Sequence, residues 1–179
     1  MLAVAAIAYI TLNSARTEGP GSRGVAAGQE LPAFAAPLAL SRLDGDANLS
    51  DRACRVRGPD ILNSCELAER GPVVLGFFAE PADRCDDQID VLDDLRTRFP
   101  EVQFAAVAIR GDREALRRRV RERRWRLPVG HDRDGAVANA YAVAVCPVIT
   151  LAARGGEVRR TLLGSQDAAA LETAVRELG

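Results

Sequence analysis

Five side chains in this sequence could carry soft-atom or proton chemistry: Cys54, Cys65, Cys85, Cys146 and the single histidine, His131. No two of the cysteines stand close enough in sequence to read as a C-x-x-C pair, and His131 has no close cysteine neighbour. Zinc sites show clustered ligands, so the pattern argues against a metal and leaves His131 as a histidine of a surface loop in Leu127-Pro128-Val129-Gly130-His131-Asp132. The chemistry left is that of thiols: nucleophilic attack, disulfide exchange or structural cross-linking. Cys54 and Cys65 flank a short loop with Gly58-Pro59 at its middle, a spacing that suits a structural disulfide; the competing pairing joins one of them to Cys85.

What positions Cys85 is the stretch Pro72 to Cys85. Val73, Val74, Leu75, Phe77 and Phe78 form a short apolar run of the kind that makes a fully buried central strand. Glu80-Pro81-Ala82-Asp83 reads as a turn, and Ile89, Leu92, Leu95 and Phe99 then recur at helical spacing. Cys85 therefore falls in the first turn of a helix, where the dipole favours a thiolate; Arg84 adds to that effect, and Asp86 and Asp87 oppose it.

The stretch Phe77-Phe78-Ala79-Glu80-Pro81-Ala82-Asp83-Arg84-Cys85 resembles the F-W-A-x-W-C-x-x-C segment of the thioredoxin superfamily, more narrowly of the membrane-anchored TlpA/ResA-type proteins of the redoxin group. Cys85 matches the second cysteine, and Ala82 stands where the first, nucleophilic cysteine would be. Gly28-Gln29-Glu30-Leu31-Pro32-Ala33-Phe34 and Leu127 to Val143 are similar to two further segments of that family. The resemblance covers about Gln29 to Leu178. It implies an α/β, thioredoxin-like three-layer sandwich with a central mixed sheet and a cis-proline, matched here by Pro147. In that fold Cys146, the residue before the cis-proline, lies against the active-site turn formed by Pro81, Ala82, Asp83 and Arg84. The resemblance thus suggests Cys85 and Cys146 as a substitute redox pair, against the alternative of two inert buried thiols.

Around this motif the chain divides into three parts. Met1 to Leu12 is apolar and uncharged, too short for a full span of roughly 20 residues; it reads as an anchor fragment or a signal-like segment. Residues 13–28 read as a flexible tether, and residues 29–179 as the domain. An apolar head on a tether suggests a single N-terminal membrane anchor and an exported, extracytoplasmic (or secreted) domain. Within the domain, Leu38 to Leu43 is expected as an edge strand and Arg52 to Arg70 as an insertion. The Arg-rich helix Arg113 to Trp125 is expected to present a solvated face, and Ser165 to cap the last helix. Net charge is −1 and aromatic residues suited to stacking on bases are sparse, which argues against a nucleic-acid partner.

The functional expectation is weak or altered thiol–disulfide oxidoreductase chemistry at Cys85, with Cys146, acting on protein thiols or disulfides and needing no cofactor. A redox-inactive domain that binds a partner protein in the same groove is the alternative. A thiol peroxidase fits less well, because Ala82 occupies the place of the hydroxyl residue such enzymes use.

Overall fold

The computed structural model describes residues 23–50, 52–79 and 83–178, and the side chains of Asp83 and Arg84 lie outside that description. Met1 to Leu12, most of the tether, and Pro81 and Ala82 of the expected turn also lie outside it.

A five-stranded mixed sheet forms the middle layer, in the order β5-β4-β3-β6-β7. The strands are β3 (Val73–Ala79), β4 (Gln103–Ile109), β5 (Val129–Asp132), β6 (Val148–Ala152) and β7 (Val158–Leu163). β3 runs parallel to β4 and antiparallel to β6. A separate antiparallel pair, β1 (Ala35–Pro37) and β2 (Ile61–Asn63), packs at the side of the sheet. The helices are α1 (Ser64–Arg70), α2 (Asp83–Arg96), α3 (Arg113–Arg123), α4 (Ala136–Ala140) and α5 (Ala168–Arg176).

The strict two-residue period of β3 explains the three layers. Val74 and Phe78 face one core with Ile89, Leu92 and Leu95 of α2, Leu116 and Val120 of α3, and Leu171 and Val175 of α5. Val73, Leu75 and Phe77 face a second core with Phe34, Leu62, Leu67, Val137 and Tyr141. A strand buried on both faces has to be apolar at every position. Gly76 belongs to the first face: a Cβ there would lie 2.6 Å from Leu92 Cδ1, so its absence lets α2 settle close to β3. Tyr141 stands edge-on to Phe34 at 5.8 Å, and its hydroxyl donates to the Pro32 carbonyl at 2.9 Å.

Several sequence expectations are corrected. The strand expected at Leu38–Leu43 is instead Ala35–Pro37; only Leu38 continues, as a bridge to Gly130. The guanidinium groups of Arg113 and Arg117 take the carbonyls of Leu38, Ala39, Ser41 and Leu43, which then serve no ladder. Those arginines are therefore structural, and the α3 helix is less of a solvated face than its charge suggests. Arg119 pairs with the buried Asp86 of α2, and Arg123 with Asp87 at 3.1 Å and Asp90 at 2.7 Å. His131 is not on a surface loop. It lies in β5, a strand paired with β4 on one edge and with Leu38-Ala39 on the other, and it is 2% exposed. The last helix is capped by Asp167, which accepts from the Ala170 N–H, rather than by Ser165. The end of the expected tether is bonded to the domain: Gly24 N–H donates to Ala142 O, Gly28 N–H to Val158 O, and Val25 O accepts from Thr161.

Candidate functional site

The geometry of the site follows from the register of the central strands. Phe77 of β3 pairs with Val148 of β6, so the antiparallel register continued by two residues sets Cys146 opposite Ala79. α2 leaves the same end of β3, and Cys85 is its third residue. Cys85 and Cys146, 61 residues apart in sequence, thereby meet with Cα atoms 5.9 Å apart and are joined by a disulfide. That separation is one a disulfide spans without backbone movement. The Cys146–Pro147 peptide bond is cis, and Pro147 is buried at the start of β6.

The two sulfurs have different surroundings. Cys85 is 5% exposed and belongs to the core that holds Phe78, Ile89 and Trp125. Cys146 is partly exposed, and its Sγ accepts the Ala79 backbone N–H at 3.4 Å. Asp86, next to Cys85, is fully buried, with Arg119 against its carboxylate and Arg123 at 3.8 Å. Its charge is therefore met from α3 and does not stand alone beside the thiol. A cavity of about 290 Å³ opens beside the pair; Cys146, Val143, Val145, Ile109 and Arg110 are among its walls, whereas Cys85 is not. Arg110 is exposed at the end of β4, and among the described residues no carboxylate pairs with it.

Cys54 and Cys65 form the second disulfide, with Cα atoms 5.4 Å apart. It ties a 3-10 turn at Ala53–Arg55 to the first turn of α1. Asn63 braces the same loop: its side-chain amide donates to the carbonyls of Ala53 and Val56, and its Oδ1 caps α1 by accepting from Glu66 N–H. The residues read as an insertion thus contribute β2 and α1 to the domain.

His131 lies away from both disulfides, with Nε2 3.3 Å from the Gly111 carbonyl. Asp46, Asp132 and Asp134 bring carboxylate oxygens within 4.8 Å of one another. These oxygens accept backbone N–H groups: Asp132 from Val137 and Ala138, Asp134 from Ala136, and Asp46 from Ala47. Burial pushes the Asp132 carboxyl above the usual carboxylate range, against the lowering effect of its two N–H donors.

Sequence reasoning missed the Ala79 N–H at the Cys146 sulfur, the Asp86–Arg119 pair and the wall of Arg110, Val143 and Val145. The first depends on strand register, and the third on loops remote in sequence. The second had a signal, carboxylates at Asp86, Asp90 and Asp93 repeating along one side of α2 ahead of an Arg-rich helix.

The sheet order, the helices on both faces and the disulfide at the end of the central strand identify the architecture. The chain has a thioredoxin-like fold. A thiol:disulfide interchange protein DsbE, as the structure from Chlorobium tepidum is assigned, superposes with a TM-score of 0.70 at 19% identity, covering 87% of this chain and 99% of that one. A secreted Mycobacterium tuberculosis disulfide oxidoreductase superposes with a TM-score of 0.57 at 20% identity, covering 66% and 89%. In sequence, the chain is similar to the thiol–disulfide oxidoreductase ResA of Oceanobacillus iheyensis, 26% identical over 95 residues, which is 52% of this chain and 50% of the relative. The chain thus spans about half the length of the curated relative it matches. No family model matches it.

Proposed function

We propose that this thioredoxin-like protein is a thiol–disulfide oxidoreductase whose redox pair is Cys85 and Cys146, acting on cysteines of other proteins. The observation that carries this reading is the Cys85–Cys146 disulfide at the mouth of a groove. The similarity to ResA and to DsbE-type structures supports the same class of chemistry. The pair replaces the motif damaged at Ala82: the resolving position on the helix is kept, and the second sulfur comes from the loop before Pro147. A redox-inactive binding domain would hold the same bond only as a structural cross-link, and the test below separates the two readings.

The test uses the oxidised protein and a dithiol peptide. Wild type oxidises the peptide to its disulfide, with loss of the Cys85–Cys146 bond. Cys85→Ala/Cys146→Ala does not, and Cys54→Ala/Cys65→Ala does. Peptide oxidation by the first variant at the wild-type level would refute the assignment.

The apolar Met1–Leu12 segment supports an exported domain held at the membrane by its N-terminus, and the M. tuberculosis relative in fold is a secreted protein. Among the described residues no helix is long and apolar enough to cross a membrane. Fusion of the full chain to a reporter active only outside the cytoplasm tests the location; a silent but expressed fusion would overturn it.

A further inference from the structure

We infer that the sulfur exchanging with substrate is Cys146, on the loop before Pro147, and that Cys85 on the helix is the buried resolving partner. The inference rests on the redox reading above and inverts the order expected from a helix-borne nucleophile. Disulfide exchange needs the incoming thiolate to reach one sulfur from outside, roughly in line with the bond that breaks. At Cys85 that approach is closed, since the residue is 5% exposed and belongs to the buried core that also holds Phe78, Ile89 and Trp125. At Cys146 it is open, because Cys146 itself lines the 290 Å³ groove and the adjoining Val145 is 47% exposed.

The two ends of the bond are also prepared differently for their roles. When a substrate thiolate attacks Cys146 Sγ, a substrate–Cys146 disulfide forms and the Cys85–Cys146 bond breaks. Its electron pair leaves on Cys85 Sγ. That thiolate develops in the first turn of the fourteen-residue α2, where the helix dipole stabilises it. A better-stabilised leaving thiolate leaves faster. The substrate's second thiolate then attacks its own sulfur in the mixed disulfide, and Cys146 departs as a thiolate that already has the Ala79 N–H as a donor at 3.4 Å. The substrate loses two electrons and two protons, the protein pair gains the electrons, and the protons pass through solvent to the two thiolates. The reverse sequence uses the same atoms: the reduced protein attacks a substrate disulfide through Cys146, and Cys85 resolves.

This order also places the substrate. Its cysteine must sit over Cys146, so the residues beside it lie along Val143, Val145 and Ile109, with the Arg110 guanidinium at the rim. The segment such a wall accepts is apolar next to its cysteine and carries a carboxylate toward Arg110.

The experiment compares Cys85→Ser and Cys146→Ser, both in the full chain, reduced and then exposed to oxidised glutathione at neutral pH. Mixed-disulfide formation at Cys146 or Cys85 is followed by peptide-mapping mass spectrometry, which separates it from adducts at Cys54 and Cys65, with circular dichroism confirming the fold. Cys85→Ser, which keeps Cys146, is expected to be glutathionylated at least tenfold faster than Cys146→Ser. Cys146→Ala and Cys85→Ala serve as second variants should a serine variant fail to fold. Equal rates, or faster trapping on Cys85, would overturn the inference. The redox reading fails separately: if wild type does not oxidise the dithiol peptide, the pair is structural whichever sulfur traps glutathione faster.

Discussion

The two disulfides close loops of very different length, and that difference sets an expected ranking of their effects on stability. Cys54–Cys65 closes a separation of 11 residues and Cys85–Cys146 one of 61. Each cross-link removes conformational freedom mainly from the unfolded chain, and the loss grows with the logarithm of loop length. In the loop-entropy treatment the short bridge contributes about 2.8 kcal/mol and the long one about 4.3 kcal/mol at 25 °C. For a domain of this size, each kcal/mol moves the thermal midpoint by about 2–4 °C. Cys54→Ala/Cys65→Ala should therefore unfold roughly 6–11 °C below wild type, and Cys85→Ala/Cys146→Ala roughly 9–17 °C below. Asn63 limits the first loss, since its bonds to Ala53 O and Val56 O hold the folded loop without the bridge. Thermal denaturation of the oxidised proteins, followed by far-UV circular dichroism, measures both. An equal loss in the two variants, or a larger one in the Cys54/Cys65 variant, would refute the reasoning, because chain entropy would then not be the main term. If the long bridge is also the exchanging one, reduction by substrate lowers the stability of the protein by the same amount, and the reduced form should be the more readily unfolded state.

Two further outcomes follow from local geometry. Gly71 has φ −179°, which any residue adopts, but a Cβ there would lie 2.3 Å from the Glu101 carbonyl oxygen. Gly71→Ala should cost about 1–3 kcal/mol through a forced backbone shift, read as a lower urea midpoint; an unchanged midpoint would show that the Glu101 turn yields freely. Asp132 is buried and its folded carboxyl is held above its ordinary value, so folding favours the neutral form more than the unfolded chain does. Its contribution to stability is present below the ordinary aspartate value of about 3.9 and is lost as pH rises through the raised folded value. The stability difference between wild type and Asp132→Asn should thus move in favour of the variant as pH increases across that window; urea titrations at several pH values showing a constant difference would contradict it.

The sequence by itself determined the central strand, because a run apolar at Val73, Val74, Leu75, Phe77 and Phe78 is stable only when both faces are covered. It determined α2 in the same way, since Ile89, Leu92 and Leu95 recur at the spacing of a helix face. These are local periodicities, and each residue carries its share of the signal. The burial of His131 and the cap at Asp167 were less legible. A single histidine in β5 looks the same whether the strand edge is open or covered by Leu38-Ala39, and Ser165 and Asp167 are both good caps. In sequence Arg113 and Arg117 look like solvated charges, since their acceptors, the carbonyls of Leu38 to Leu43, lie some seventy residues away.

The site was decided by tertiary structure in its most consequential respects. The four cysteines and Pro147 were visible in the chain, but which sulfurs meet is a matter of register between β3 and β6, and no local pattern encodes a contact across 61 residues. The inequality of the two sulfurs is likewise a property of the packed molecule. Cys85 is shut in because it belongs to a core that a strand, a helix and a loop build together, with Phe78, Ile89 and Trp125 among its members. Cys146 stays open because the loop before Pro147 borders a groove whose far wall, Ile109 and Arg110, belongs to another strand end. Side-chain type sets what chemistry is available; the three-dimensional arrangement sets which atom an incoming thiolate can reach.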